Sequence, residues 1–234
     1  MKQGTLARRA QQLMDMYDAM RAALGLRGWW PAETPFEVVV GAILTQNAGW
    51  HNVTLALDRL RERKALSPSA MWRMARPELE EAIRPSGYFR RKAQRLYDFL
   101  SFLKAKGGLD GGVASMELRC LEPLATACLR RELLSVRGIG PETADSILLY
   151  ALGRPSFVVD AYTSRILSRH GLVPEDIPYD ELRAFFMDCL PEDTALYNDF
   201  HAQLVRAGHD YCKKSTPACG QCPLQRFLEY APAL

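Results

Sequence analysis

The chain has 234 residues, enough to bury one large hydrophobic core or two smaller ones. Its apolar fraction of 48% and charged fraction of 24% lie near the averages for globular proteins. No apolar stretch approaches the roughly 20 residues that span a bilayer, and the first residues carry charges throughout, unlike a secretory signal. The composition therefore argues against a membrane-spanning or exported protein, and we expect a folded protein of the cytoplasm.

The net charge of +3 is too small to indicate a nucleic-acid partner by itself. The distribution of charge is more informative, because the segment 84–97 carries five cationic residues, three aromatic residues and no acidic one. Such a segment forms either a solvated helix face or a surface that binds nucleic acid. Composition alone leaves both interpretations open.

Apolar residues recur at helical spacing, for example at Phe36, Val39, Val40, Ile43 and Leu44. Strand-like alternation is scarce, since the β-branched run 156–159 is too short to found a sheet. Paired glycines and prolines predict turns between many short helices. We therefore predict an all-α fold. The glycine-rich stretch 104–115 is the most flexible-looking connection and a candidate domain boundary.

The segment with the most chemical content begins where an apolar helix end meets the turn Gly138-Ile139-Gly140. Two glycines permit positive φ angles and leave backbone amides uncovered. Pro141 suits the first turn of the next helix, whose N-terminus adds further amides and a partial positive charge. Such a turn can dock a DNA backbone without reading its sequence. An ordinary corner between two helices is the alternative.

Asp160 follows this helix after Gly153 and the apolar run 156–159, and it directly precedes another helical segment. An aspartate in that place is a candidate helix N-cap, and capping alone would explain it.

The order of hairpin, helix, Gly-x-Pro, apolar run, aspartate and helix resembles the helix-hairpin-helix DNA glycosylase superfamily, in particular the endonuclease III group. The segment 33–53 is similar to the early helix of that family and the damage-probing loop after it. The segment 86–96 is similar to its G-x-x-x-x-K-A motif. The resemblance covers most of the chain, from about Pro35 to Cys222.

The resemblance implies two helical subdomains with the hairpin at the cleft between them. One subdomain is a helical barrel over residues 28–154 that carries the helix-hairpin-helix at about 133–152. The other combines residues 1–27 with 155–234 and includes the cysteine loop, 212–228. The implied partner is double-stranded DNA containing damaged bases, bound by a monomer associated with a bacterial or archaeal nucleoid, with no membrane partner.

The resemblance also assigns roles to individual residues. The carboxylate of Asp160 would stabilise the positive sugar that develops as the N-glycosidic bond breaks, or orient the attacking water. A helix N-terminus favours the anionic form that this role needs. The DNA backbone would be bound by the residues of the hairpin and of the 86–96 segment, namely Gly138, Ile139, Gly140, Thr143, Gly87, Arg91 and Lys92.

At one position the sequence departs from endonuclease III. The lyases of the family carry a lysine two residues after the second hairpin glycine, where it attacks the sugar and forms a Schiff base; here Glu142 occupies that position. A glutamate cannot form an imine, and no lysine lies between Lys106 and Lys213. The resemblance therefore implies a glycosylase that uses water and has no lyase activity, unless a distant lysine reaches the site.

The hairpin helix and the residues around Asp160 are most similar to the branch that includes a bacterial 3-methyladenine glycosylase. Alkylated purines are cationic, leave readily and stack on electron-rich rings. Trp29, Trp30 and Trp50 are candidates for an aromatic base pocket, although tryptophans also fill ordinary cores. Gln46 and Asn47 fall where the family fills the space left by a flipped base, or they form a simple turn.

Two other functions compete with this one. The first is a glycosylase/lyase of the endonuclease III type that acts on oxidised pyrimidines. The second is a non-catalytic protein that binds damaged DNA through the hairpin.

Six cysteines are too few and too unevenly spaced for a disulfide scaffold, and three crowd into Cys212, Cys219 and Cys222. Family loops place a fourth cysteine six residues later to hold a 4Fe-4S cluster, but Leu228 stands there. A cluster with an incomplete ligand set, a zinc site or a loop without metal all remain open. His209, three residues before Cys212, is a candidate fourth ligand.

Overall fold

The computed structural model describes residues 2–26, 30–109 and 118–230, and every regular element within those ranges is helical. The predicted all-α fold is therefore confirmed. None of the helices in the described ranges combines the length and the apolar character needed to cross a membrane. The chain divides into two compact units. The first unit comprises Met1–Trp29 and Pro155–Leu234, and the second comprises Trp30–Arg154.

The second unit is built around helix α2 (Pro35–Leu44), in which every residue from Phe36 onward is buried. Thr34 Oγ1 accepts a hydrogen bond from the amide of Glu37 and caps the helix, and Pro35 occupies its first turn. The helices that share one hydrophobic core with α2 are α3 (Trp50–Glu62), α4 (Pro68–Arg73), α5 (Arg76–Ala82), α6 (Phe89–Ala105), α7 (Thr126–Ser135) and α8 (Pro141–Ser146). Short 3-10 turns cover Arg84–Ser86 and Arg119–Leu121.

Helix α8 runs directly into a π-helical turn, Ile147–Ala151. The stretch 104–115 does not divide the units, because the residues on both of its sides belong to the second unit. Residues 110–115 of that stretch lie outside the described part of the chain.

The first unit contains α1 (Lys2–Leu24), α9 (Ala161–Arg169), α10 (Tyr179–Cys189) and α11 (Thr194–Asp210), followed by 3-10 turns at Cys219–Gln221 and Gln225–Tyr230. The run 156–159 is a buried extended connection. Phe157 at its centre stacks on Phe186 with ring centroids 4.0 Å apart, and Phe200 meets both rings edge-on. These aromatic contacts bring α10 and α11 against the segment that leads to Asp160.

Candidate active site

Asp160 is the N-cap of α9. Its Oδ1 accepts hydrogen bonds from the backbone amide of Thr163 at 2.7 Å and from the Thr163 hydroxyl at 2.8 Å. The side chain is 14% exposed, and Oδ2 receives no hydrogen bond from the described residues. Oδ1 therefore caps the start of α9, and Oδ2 remains available to contact another group.

His201 on α11 lies near that second oxygen, with Nε2 3.9 Å from Oδ2 of Asp160. Burial lowers the pKa of His201, and the nearby Asp160 carboxylate opposes this shift. A neutral imidazole therefore faces the carboxylate at neutral pH. Sequence reasoning missed His201, because a lone histidine 41 residues downstream on another helix gives no local signal.

The contact between α9 and α11 depends on Gly208. A Cβ atom at this position would lie 2.5 Å from Cδ1 of Tyr162, so only glycine lets the tyrosine ring approach the α11 backbone. Arg165 strengthens the contact by packing over the Tyr162 ring and donating from Nε to the carbonyl oxygen of Cys212 at 2.7 Å. This packing sets the position of the α9 N-terminus, and with it that of Asp160.

The hairpin lies in the second unit, between α7 and α8. Gly138 adopts φ +85°, which favours glycine, and Gly140 is the N-cap of α8. The amides of both glycines make no hydrogen bond to a backbone carbonyl of the described residues. Uncovered amides at a helix N-terminus can bind an anion.

The side chains of Ile139 and Thr143, two residues predicted to contact the DNA backbone, are buried, and their DNA contacts stay a prediction. The amide of Ile139 already donates to the carbonyl oxygen of Val136 at 3.0 Å, and its side chain is buried. The Thr143 side chain is also buried, and its hydroxyl accepts a hydrogen bond from Nε2 of Gln46. Both residues support the hairpin from inside.

Gln46 braces the hairpin in this structure. Its Nε2 donates to the carbonyl oxygen of Gly138 at 3.0 Å and to Thr143 Oγ1 at 2.9 Å, and its Oε1 accepts from Arg95. The amide would have to leave these partners to fill the space of a flipped base. Asn47, by contrast, is exposed in a left-handed conformation with φ 53°.

The prediction that Lys92 contacts DNA is wrong, because its side chain is completely buried. The ammonium donates to the carbonyl oxygens of Leu44 at 2.8 Å and Ser86 at 2.6 Å, which ties the end of α2 to the turn before Gly87. Burial, with a smaller contribution from Arg95, lowers the pKa of Lys92 to about 8. The cationic pattern gave no indication of which of the five cations would be inside.

Gly87, Tyr88 and Arg91 are among the residues of the same segment that are exposed at its surface. Gly87 adopts φ +69°, Tyr88 adopts a left-handed conformation with its ring exposed, and Arg91 is exposed on the first turn of α6. Sequence reasoning noted Tyr88 as part of the cationic segment but did not place it among the site residues.

Of the tryptophans predicted for a base pocket, Trp29 lies outside the described residues. Trp30 stacks on Tyr150 with ring centroids 5.4 Å apart and meets Trp50 edge-on at 5.3 Å. Its indole packs directly on Gly41, and its Nε1 is buried without a hydrogen-bond partner in the described part of the chain. Trp50 is 39% exposed. Tyr150 was missed, because it belongs to the π-helical turn far along the sequence.

Glu142 occupies the second position of α8 and is exposed. The first turn of a helix favours a negative charge, so glutamate suits this position structurally.

The three clustered cysteines line one cavity of about 210 Å³ in the first unit, together with Ile166, Arg169, His170, Ala207, Tyr211, Leu224, Gln225 and Leu228. Arg169 places Nη1 3.4 Å from Sγ of Cys212. Across the described residues, no three potential ligands converge closely enough to hold a single metal ion. Zinc needs donors about 2.0 to 2.3 Å from one point, whereas a cubane cluster takes each thiolate on a different iron. Three thiols around one cavity are donors that an iron–sulfur cluster takes, so this donor set fits such a cluster.

His209 does not face this cavity. Its side chain is 74% exposed, and its Nδ1 lies 2.8 Å from Oδ1 of Asp210. The prediction of His209 as a fourth ligand is therefore wrong, because the end of α11 turns this residue toward solvent.

Comparison with known proteins agrees with this architecture. The family model described as HhH-GPD superfamily base excision DNA repair protein matches residues 40–192. MJ1434 of Methanocaldococcus jannaschii, provisionally named a DNA repair glycosylase, is 41% identical over 217 residues, covering 93% of this chain and 96% of the relative.

Two solved structures share the fold at similar identity. A trapped covalent intermediate of endonuclease III with DNA aligns with a TM-score of 0.77 and 25% identity, covering 94% of this chain and 96% of that one. The 3-methyladenine DNA glycosylase of H. pylori bound to 1,N6-ethenoadenine aligns with a TM-score of 0.70 and 26% identity, covering 86% and 97%. This chain therefore belongs to the HhH-GPD superfamily of base excision DNA repair proteins and is a DNA glycosylase of that family.

Proposed function

We propose that this glycosylase is monofunctional and removes alkylated purines such as 3-methyladenine from double-stranded DNA, with water as the nucleophile and an abasic site as the product. The observation that carries the proposal is Glu142 at the position of the lyase lysine, on the first turn of α8. The enzyme acts as a monomer in the cytoplasm, at the nucleoid.

Asp160 is the proposed catalytic residue. With Oδ1 held by Thr163, the carboxylate has a fixed orientation, and Oδ2 is free to face the sugar or a water molecule. A fixed anion stabilises the positive charge that develops on the sugar as the base leaves. An alkylated purine already carries a positive charge, so it departs without strong acid catalysis.

Two lysines of the second unit are engaged elsewhere and do not replace the missing nucleophile. Lys92 is buried with its ammonium donated to two carbonyl oxygens, and Lys106 pairs with Glu132 at 2.7 Å. An amine must be exposed and neutral to attack a sugar. These contacts support hydrolysis by water.

The aromatic group of Trp30, Trp50 and Tyr150 supports the choice of substrate class. The faces of electron-rich rings attract a cationic purine more strongly than they attract a neutral base. The H. pylori relative, which is named as a 3-methyladenine glycosylase and was solved with a modified purine, supports the same class.

The proposed DNA contacts are the uncovered amides of Gly138 and Gly140, together with Gly87 just before α6 and Arg91 in the first turn of α6. Amides at a helix N-terminus and a nearby guanidinium bind phosphate without reading bases. The DNA complexes of endonuclease III support this assignment.

We further propose that the cavity lined by Cys212, Cys219 and Cys222 holds a 4Fe-4S cluster. Three thiols around one cavity support this assignment. The cluster would stabilise the C-terminal loop, because hydrolysis of a glycosidic bond transfers no electrons.

The test uses duplex DNA treated with a methylating agent, alongside duplexes that carry defined oxidised pyrimidines. We expect release of free 3-methyladenine, with strands that break only after alkali, and no protein–DNA adduct on borohydride reduction. Release of oxidised pyrimidines with a trapped adduct would instead establish a lyase of the endonuclease III type. Binding without release of any base would leave only a damage-binding protein.

A further inference from the structure

We propose that His170 supplies the fourth ligand of the cluster through Nδ1, in place of the cysteine that the family pattern has at Leu228. This inference rests on the proposed cluster, and it does not depend on which base the enzyme removes.

His170 is in the right place for this role. It is the C-cap residue of α9 and lines the same cavity as the three cysteines. It is only 6% exposed, so its ring is shielded from solvent. A hydrogen bond joins it to the backbone of Phe227, the residue next to Leu228. The imidazole therefore lies beside the position from which the missing thiolate would come.

The ring also presents the right atom. Nδ1 is buried and has no hydrogen-bond partner within the described residues, so this ring nitrogen is the one that a ligand-binding role would use. Histidines that bind metals typically donate their other ring N–H to a backbone carbonyl, which fixes the tautomer and leaves the ligating nitrogen unprotonated. A buried nitrogen without a partner is unfavourable unless a group binds to it.

Other residues around the cavity are poorer candidates. Leu228, Ile166, Ala207 and Leu224 have no side-chain donor atoms, and Arg169 is a cation that already lies against Sγ of Cys212. Gln225 is exposed, and the phenol of Tyr211 would have to lose its proton. The lining thus contains three thiols and one imidazole, and both kinds of donor bind iron.

The charge of the site is consistent with this ligand set. Exchanging a thiolate for a neutral imidazole makes the cluster less negative by one unit, and His-for-Cys exchange is known chemistry in iron–sulfur centres. The guanidinium of Arg169 beside Cys212 further offsets the remaining negative charge.

The experiment uses the full-length protein, purified without oxygen and reconstituted with ⁵⁷Fe²⁺ and sulfide. It compares the unaltered chain with H170A, the double variant H170A/L228C and H209A. H209A is the matched control, because this histidine lies in the same region but faces solvent. Iron and acid-labile sulfide are counted per chain, Mössbauer spectra are recorded, and EDTA titration measures how tightly the iron is held.

We expect the unaltered chain and H209A to bind a 4Fe-4S cluster in which one iron differs from the other three in its Mössbauer parameters, because its ligand is nitrogen. In H170A the EDTA concentration that removes half of the iron should fall by roughly tenfold or more. In H170A/L228C a full cluster should return with four equivalent thiolate-bound irons, which also shows that loss of His170 has not unfolded the protein.

Several results would overturn the proposal. A cluster in H170A with the same spectrum and EDTA resistance as the unaltered chain would remove His170 as a ligand while leaving the cluster itself established. Four equivalent irons in the unaltered chain would do the same. No iron in the unaltered chain after reconstitution, or zinc in its place, would remove the cluster and this ligand together, whatever the base-release assay shows.

Discussion

Oδ2 of Asp160 lies 3.9 Å from Nε2 of His201, while Oδ1 of the same carboxylate caps α9. One carboxylate oxygen thus caps the helix, and the other is available for the catalytic role that we propose. This division allows the proposed role to be tested without damaging the helix.

Asp160→Asn keeps a side-chain oxygen that can cap α9, because asparagine is as good an N-cap residue as aspartate. It removes the negative charge, and we expect base release in single-turnover assays to slow by about 10² to 10³, or roughly 2.7 to 4 kcal/mol. The melting temperature and the affinity for DNA should change little. Release of 3-methyladenine at the original rate would exclude Asp160 as the catalytic carboxylate.

His201→Gln should change how stability depends on pH. Burial lowers the pKa of His201 in the folded protein below its usual value of 6.5, so the unfolded chain takes up a proton first as the pH falls. Stability is therefore fully present above about pH 6.5 and decreases as the pH drops toward the folded pKa, by up to about 1.4 kcal/mol per pH unit for one proton.

Between pH 7 and 5 the melting temperature of the variant should depend less steeply on pH than that of the unaltered chain. The reason is that unfolding of the variant takes up about one proton less. His209→Gln, at an exposed position, is the control and should leave the profile unchanged. Identical profiles for all three proteins would show that His201 is not the titrating group.

Gly208→Ala places a methyl group 2.5 Å from Cδ1 of Tyr162. The contact between α9 and α11 has to open, and we expect a loss of about 1 to 3 kcal/mol in the free energy of unfolding. Gly49→Ala, where an added Cβ meets no atom within 4 Å, is the control. Urea denaturation of the two variants makes the comparison, and equal stability would contradict the close packing of Tyr162.

Trp50→Ala removes the most exposed ring of the aromatic group without emptying the core. We expect kcat/KM for 3-methyladenine to fall about 2- to 30-fold, because loss of a cation–π contact removes roughly 0.5 to 2 kcal/mol of stabilisation. A neutral purine lesion should be less affected. Leu55→Ala, another exposed apolar residue on α3, should change neither rate. Equal losses on cationic and neutral bases would argue against this pocket.

Glu142→Lys places an amine where the lyases of the family carry theirs. On an exposed helix turn the new lysine should be tolerated, and we expect a borohydride-trapped adduct with abasic DNA that the unaltered chain does not form. Glu142→Gln removes the charge without adding an amine and should form none. An adduct with the unaltered chain would show that another lysine reaches the sugar.

Local sequence patterns were sufficient to predict the elements whose conformation depends on residues close by in the sequence. The glycine turn at 138–140 and the N-cap at Asp160 follow from backbone conformation and from hydrogen bonds within three residues, so both could be read directly from the chain. The all-α fold follows from periodicity in the same way, and the resemblance to a family supplied the roles.

Tertiary packing alone decided which polar groups are inside. Lys92 and Arg91 are neighbours in one cationic run, yet one is buried against two carbonyl oxygens and the other is exposed. His201 and His170 lie far from their partners in sequence and acquire their surroundings only when α9, α11 and the C-terminal turn pack together. The sequence determined the helices, the hairpin and the aspartate, because these depend on local backbone preferences. The structure decided which side chains face the aspartate and the cysteine cavity, because burial depends on contacts between residues distant along the chain.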